Sequence, residues 1–314
     1  MNNPAQFDGL DRVALPQRPL HVAIGIFDGV HLGHRAVIES AVQSARTSGG
    51  VAVVLTFSPH PSLLFSPGNP TRMILDLPSK VAKFGALGVD AVVVQPFTKE
   101  FAAVTAEEFV PLIKRHLRGL AGIYVGDNFR FGQGRRGDVP MLIQQGRQHG
   151  VSVFSAPPVN LDGEPISSTR IRERIQNGDM KGAAALLGYV YTAEGSVVHG
   201  KHLGKTIGFP TLNLGWSPDL RPLYGVYAVR VSGGKSYGWL PAVANYGLRP
   251  TVEESVEPRL EIHLLVACPY RAGDSIVVEW IHFIRPEKRF DGIDELRLQI
   301  GRDVAEAREE FFLL

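Results

Sequence analysis

HVAIGIFDGVHLGH, residues 21–34, decides how the first half of this chain folds. The stretch begins as an apolar, β-forming run over 21–27 and passes into a turn that holds Gly29, with Gly33 following. It ends on His31 and His34, from which a helical pattern continues to the stop Gly49-Gly50. Strand, turn and helix in that order leave the helix's first N–H groups and the positive end of its dipole beside the turn, a setting that favours phosphate. Glycine lets backbone come close to a ligand. Histidines three apart on an opening helical turn can face one side, where imidazole donors stabilise charge building on a phosphoryl group. Two plainer readings compete: a pair of surface histidines, or half of a zinc site that lacks an obvious third ligand.

Outward from this stretch, strand-like runs at 21–27, 51–57, 91–95, 121–126 and 151–156 alternate with helical patterns at 34–48, 106–118 and 140–148. Thr105 and Glu108 match a capping box at the start of the second helix. Most of the runs are continuously apolar, as strands covered on both faces are. The expected fold is α/β: a doubly wound, Rossmann-like parallel sheet whose ligands lie beyond the carboxyl ends of its strands.

Two short helical segments, 169–176 and 180–187, precede a change of pattern. Runs at 189–199, 223–231, 236–244, 260–266 and 275–285 read as strands, with Gly233-Gly234 as a hairpin turn. A closing helix over 293–312 places Leu296, Ile300, Val304 and Ala307 at helical spacing. This half reads as a small antiparallel β-barrel with a C-terminal helix. The expected domains are 1–185 and 186–314.

The 314 residues include 33 Lys and Arg against 31 Asp and Glu, for a net charge of +2. So even a balance argues against a nucleic-acid partner, which calls for a strong basic bias. The small basic excess lies ahead of residue 182 and suits an anionic small ligand. A single cysteine, Cys268, excludes an internal disulfide and a Cys-based zinc site; a buried thiol is expected there. No apolar run approaches a membrane span, and the N-terminus carries no secretory pattern, so no membrane partner and a cytoplasmic location are expected. The sequence leaves oligomeric state undetermined.

Three further segments carry chemistry. Ile166-Ser167-Ser168-Thr169-Arg170-Ile171-Arg172 places hydroxyls at a helix start, where they either cap it or bind an anion, and Arg172 adds a donor fork matched to phosphate oxygens. In the second half, Thr211 and Asn213 share one face of an extended segment that follows a Gly-rich loop containing Lys205. A hydroxyl beside an amide oxygen suits Mg²⁺, a hard cation that seeks oxygen ligands and ATP phosphates; a half-buried strand after a turn is the alternative. Leu260-Glu261-Ile262-His263-Leu264 alternates, with Glu261 and His263 on its polar face. Phe129 and Phe131 read equally as core or ligand contacts, and the basic segment 132–138 as a solvated turn or a closing loop.

Together, FDGVHLGH and ISSTRIR resemble the HxGH nucleotidyltransferase superfamily. Thr56-Phe57-Ser58-Pro59-His60-Pro61 and Gly126-Asp127-Asn128-Phe129-Arg130-Phe131-Gly132 narrow the resemblance to bacterial bifunctional FAD synthetases. The resemblance implies that FMN is adenylated by ATP with loss of pyrophosphate. By position, His31 and His34 would meet ATP phosphates, as would the turn residues Gly25, Phe27, Asp28 and Gly33. Ser168, Thr169 and Arg172 would hold the leaving pyrophosphate, and Phe57, His60 and Asn128 would lie near FMN. Ile26 and Asp127 depart from the family's usual polar residue and Glu.

The run from His199 through Lys205 to Phe209-Pro210-Thr211-Leu212-Asn213 resembles the riboflavin kinase module, as do Gly225-Val226-Tyr227, Asn245-Tyr246-Gly247 and LEIHLL. That implies Thr211 and Asn213 as Mg²⁺–ATP ligands, Lys205 near the phosphates and Glu261 as the base for the riboflavin 5′-hydroxyl. The expected substrates are riboflavin, FMN and ATP, with FMN and FAD as products. Two rivals stand beside this: a nucleotidyltransferase for another phosphorylated alcohol with an inactive barrel, and a non-catalytic flavin-binding regulator.

Overall fold

A computed structural model describes residues 3–199, 208–234, 237–248 and 258–312. The chain divides into two compact units, residues 1–168 and 169–314.

The first unit is built on six strands: β1 (Ala5–Asp8), β2 (Leu20–Ile24), β3 (Val51–Ser58), β4 (Ala91–Pro96), β5 (Leu120–Gly126) and β6 (Ser152–Ala156). They lie in the order β1-β4-β3-β2-β5-β6, all parallel. The doubly wound sheet expected from the sequence is present. Sequential strands run outward from β2 on one side and restart from β5 on the other, so the order reverses between β2 and β5. At such a reversal the loops leaving the two strands part and open a crevice. The segments that leave these two strands carry His31, His34 in the first turn of the following helix, and Asn128.

β2, β3 and β4 are almost wholly buried, which explains their unbroken apolar composition. α1 (Leu32–Ser48) turns Val37, Ile38, Ala41, Val42 and Ala45 inward and ends on Gly49 in the left-handed region. The capping box of α5 (Ala106–His116) forms as expected, with Thr105 Oγ1 accepting the Glu108 N–H and Glu108 accepting the Thr105 N–H.

Several elements go beyond the sequence reading. β1 adds a parallel edge beside β4. α2 (Pro61–Phe65), α3 (Leu77–Ala86) and α4 (Lys99–Ala102) fill the connections on either side of β4. β2 stops at Ile24 instead of continuing to Phe27, because Phe27 lies in the left-handed region at φ 52 and cannot extend a ladder. Phe131 is core, stacked on Phe129 at 5.7 Å and against Phe109 at 4.8 Å. α6 (Val139–His149) and a small hairpin, β7 (Asn160–Leu161) with β8 (Glu164–Pro165), complete the unit.

The second unit begins at Thr169, the second residue of α7 (Ser168–Gln176), and continues through α8 (Met180–Leu187) into the barrel, where the Leu223 N–H donates to the Ile175 carbonyl. The strands β9 (Thr192–Val198), β10 (Leu212–Gly215), β11 (Gly225–Gly233), β12 (Leu240–Gly247), β13 (Arg259–Leu264) and β14 (Ser275–Pro286) close in the order β10-β13-β12-β11-β14-β9 with antiparallel pairing. The antiparallel barrel expected from the sequence is present.

Its interior is aromatic. Trp280 meets Tyr227 edge-on at 4.7 Å, Tyr246 at 5.8 Å and Trp216 at 5.6 Å. Burial pushes the Tyr227 and Tyr246 phenols above their ordinary value. The C-terminal helix Ile293–Phe312 covers part of the outer face, where Val304 and Ala307 meet Val226, Ala228 and Val243. The Arg285 guanidinium fixes this helix by two 2.8 Å bonds to Asp303, which is nearly inaccessible. Cys268 corrects the expectation of a buried thiol. It lies in the connection between β13 and β14, where the chain leaves the barrel wall, and is exposed. No helix among the described residues is long and apolar enough to cross a membrane.

Candidate active sites

The turn after β2 is shaped by its backbone. Phe27 (φ 52), Gly29 (φ 78) and Val30 (φ 40) all lie in the left-handed region. Such residues reverse the chain in a few steps and aim the segment that follows, here His31, at the start of α1. His31 is the N-cap of α1, and its Nδ1 accepts the His34 N–H at 3.3 Å. The two imidazoles stack at 3.5 Å between centroids, and His34 meets the buried Phe27 ring edge-on at 5.4 Å. A side chain at Gly33 would press on the His31 ring at 3.2 Å, and one at Gly25 on the Phe27 ring at 3.0 Å. Both glycines therefore make room for the rings of their own turn.

Asp28 is buried, and its carboxylate accepts the Ile74 N–H at 3.0 Å and the Leu75 N–H at 3.4 Å. The side chain thus tethers the segment before α3. Ser168 Oγ, at the end of the first unit, donates to the Asp28 carbonyl at 3.0 Å. Thr169 and Arg172 continue α7.

Near the end of β3, Phe57 is buried against Phe97 and Phe101, at 6.0 and 5.6 Å. Phe65, largely exposed, extends the aromatic group. His60 caps α2 through its Nδ1, which accepts the Ser62 N–H at 3.1 Å. Asn128 is exposed in the turn after β5. The first unit therefore carries a donor-rich turn at the strand reversal and a separate aromatic group after β3.

In the barrel, register brings the chemistry together. Asn213 on β10 stands directly opposite Glu261 on β13. Directly opposed residues hold their Cβ atoms about 4.5–5.5 Å apart on one face. On the other side of β13, Asn245 of β12 is also opposite Glu261. His263 Nδ1 donates to the Pro210 carbonyl at 2.9 Å, fixing the chain just before Thr211. Asn213 is buried, and its Oδ1 has no hydrogen-bond partner among the described residues. An amide oxygen in that state costs stability unless a ligand completes it. No cluster of three His, Cys, Asp or Glu side chains able to hold a metal occurs among the described residues. Lys205 lies outside the described residues.

Sequence reasoning missed Lys80. It is 2% exposed, and its Nζ donates to the Ile26 carbonyl at 3.0 Å and to Thr56 Oγ1 at 3.1 Å. Burial pulls its ammonium down to about 8, partly offset by the Asp28 carboxylate. The available signal was its spacing: Lys80 shares the inward face of α3 with Val81 and Phe84, where a charge is unexpected.

Comparison with known proteins agrees with both halves. The FAD synthetase family model matches residues 14–170, and the riboflavin kinase family model matches residues 187–311. The bifunctional riboflavin kinase/FMN adenylyltransferase of Escherichia coli (strain K12) is 40% identical over 300 residues, covering 95% of each chain. The proteins of that description from Haemophilus influenzae and Bacillus subtilis (strain 168) are 37% and 36% identical, over 92% of this chain and 94% and 92% of their own. A solved structure from Streptococcus pneumoniae, described as a macrolide-efflux protein, superposes with a TM-score of 0.86. It is 29% identical and covers 98% of this chain and 99% of its own.

Proposed function

The chain belongs to the family of bifunctional riboflavin kinases/FMN adenylyltransferases, and from that premise we propose which residues carry each of its two transfers. The enzyme phosphorylates riboflavin to FMN and adenylates FMN to FAD, with ATP as the donor in both steps. The proposed division gives residues 1–185 to adenylyl transfer and residues 186–314 to the kinase.

In the kinase step the riboflavin 5′-hydroxyl oxygen attacks the γ-phosphorus, the bond to the β-bridging oxygen breaks, and ADP leaves. Glu261 takes the hydroxyl proton as the new bond forms. The hydroxyl grows acidic only late in a loose transition state, so a carboxylate serves. Thr211 and Asn213 would hold Mg²⁺ with the ATP phosphates, and Lys205 would lie beside them. Bound there, Mg²⁺ would neutralise charge on the phosphates. One observation carries this assignment: buried Asn213, whose Oδ1 has no partner among the described residues, stands opposite Glu261 in the β10–β13 register.

In the adenylyl step an FMN phosphate oxygen attacks the α-phosphorus and pyrophosphate leaves. The nucleophile is already an anion, so no base is required, and the work is orientation and charge neutralisation. His31, His34 and the main chain of Gly25, Phe27, Asp28 and Gly33 supply donors to the ATP phosphates. Ser168, Thr169 and Arg172 hold the departing pyrophosphate. Phe57, His60 and Asn128 orient FMN. Both steps draw on free ATP, and the reading assigns the protein to the cytoplasm.

The assignment is tested with two variants, Glu261→Gln and the double variant His31→Ala/His34→Ala. Each is incubated with riboflavin, ATP and Mg²⁺, and the flavins are chromatographed. The first should leave riboflavin unchanged and the second should accumulate FMN; any other pairing of lesion with product contradicts it.

A further inference from the structure

The HxGH turn rests on a buried cation that the two transfers described above do not use. Lys80 reaches from α3 to the Ile26 carbonyl and to Thr56 Oγ1, and Thr56 Oγ1 itself donates to the Ile26 carbonyl at 3.1 Å. Lys80 and Thr56 are 2% and 0% exposed. The three groups form a closed triangle on a single carbonyl, the one immediately before Phe27.

Its position gives that triangle a consequence. A trans peptide is planar, with its C=O and N–H pointing in opposite directions. Two donors that hold the Ile26 oxygen on one side therefore aim the Phe27 N–H to the other. That N–H has no acceptor among the described residues. It lies at the start of the turn that leads to His31.

The same hold offsets strain. Phe27 and Val30 occupy left-handed conformations that cost non-glycine residues about 1–3 kcal/mol each, and such residues persist only where their surroundings over-determine them. From the other side the turn is held by Asp28, whose carboxylate accepts the Ile74 and Leu75 N–H groups, and by Ser168 Oγ on the Asp28 carbonyl. Asp28 is the charged group facing Lys80 from the turn; Thr56, facing it from β3, is neutral. A methionine would fill the space of Lys80 without burying a charge, so an ammonium here calls for a use.

We propose that Lys80, acting with Thr56, is a positioning residue for adenylyl transfer: by fixing the Ile26 peptide plane it aims the Phe27 N–H at a phosphate of the bound ATP. The proposal rests on the assignment of the HxGH turn to that step. Preorganised backbone donors of this kind act on charge that develops in the transition state, so their loss appears in kcat.

The test measures kcat and KM for adenylation of supplied FMN, with riboflavin phosphorylation by the same chain as the folding control. Lys80→Met should lower kcat of adenylation about 10- to 100-fold with KM for FMN within about twofold and the kinase rate intact. Thr56→Val should lower kcat by a smaller factor, and Thr56→Ser, which restores the hydroxyl, should recover it. If Lys80→Met fails to fold, the Thr56 pair decides alone. Wild-type kcat in folded Lys80→Met, a raised KM at unchanged kcat, or equal rates for Thr56→Val and Thr56→Ser would overturn the proposal. The double variant His31→Ala/His34→Ala separates the two claims. If it still adenylates FMN, the assignment of the turn has failed; if it is inactive while Lys80→Met is unaffected, only the role of Lys80 has.

Discussion

Replacing His34 with alanine should separate the two activities of one polypeptide. His34 lies in the first turn of α1, stacked on His31 at 3.5 Å and edge-on to Phe27 at 5.4 Å. Removing one donor aimed at developing transition-state charge costs about 2.7–4 kcal/mol, or roughly 10²- to 10³-fold in kcat. The lost ring contacts cost about 0.5–1.5 kcal/mol each in stability. Phe27 and Val30 remain fixed by the bonds around the turn, so this smaller term should lower the melting temperature without altering the rate per folded molecule. The assay supplies FMN and ATP and follows FAD by chromatography, while a parallel reaction supplies riboflavin and follows FMN. Adenylation should fall by the stated factor and phosphorylation should stay within about twofold. A fall in adenylation below about threefold, or equal loss of both activities, would refute the reasoning.

The remaining predictions concern the barrel and the buried lysine. Glu261→Gln should lower riboflavin phosphorylation by about 10²- to 10⁴-fold, the usual range for a general base. It should leave adenylation of supplied FMN unchanged, as two parallel rate measurements would show. Asn213→Leu removes a buried amide oxygen that lacks a partner among the described residues, so it should hold or raise the melting temperature. The same change should weaken Mg²⁺-dependent ATP use by the kinase about 10- to 100-fold, read from rates at limiting Mg²⁺. Lys80, lowered from 10.5 to about 8, binds fewer protons folded than unfolded between those pH values. Its contribution to stability therefore rises with pH across that window. Urea melts at pH 7.5 and 9.5 should show this rise in the wild type, and Lys80→Met should flatten it.

Local order was the most legible part of the chain. The alternation of apolar runs and helical patterns gave the sheet, and the capping box and Gly49 marked real helix ends. What escaped depends on backbone angle or on distant pairing. Apolarity continues through Gly25-Ile26-Phe27, yet the left-handed Phe27 ends the strand three residues early, and composition does not report φ. β1 is four residues long, mostly exposed and ordered by its ladder with β4, more than eighty residues away. α3 begins with a proline in its first turn and carries a lysine on its inward face, which hid both the helix and Lys80.

The sites divided in the same way. Residue type and spacing singled out Asn213 and Glu261, but only register shows that they are direct neighbours, with Asn245 beyond. The motif singled out Asp28, but only the fold shows that its carboxylate accepts the Ile74 and Leu75 N–H groups. Packing assigns α7 and α8 to the barrel unit, which begins at Thr169. The boundary proposed at 185/186 concerns which segment serves which reaction, a separate question from compactness.

The claim at the centre of this account is that each half of the chain breaks a different bond of ATP, and two ATP analogues address it directly. α,β-Methylene-ATP keeps a transferable γ-phosphoryl group but blocks release of pyrophosphate; β,γ-methylene-ATP does the reverse. The flavins formed from each analogue are chromatographed for the wild type and for Glu261→Gln. The account predicts that the wild type converts riboflavin to FMN and no further with the first analogue, and FMN to FAD with the second, and that Glu261→Gln loses only the first reaction. FAD formed from α,β-methylene-ATP, or loss of the second reaction in Glu261→Gln, would contradict it.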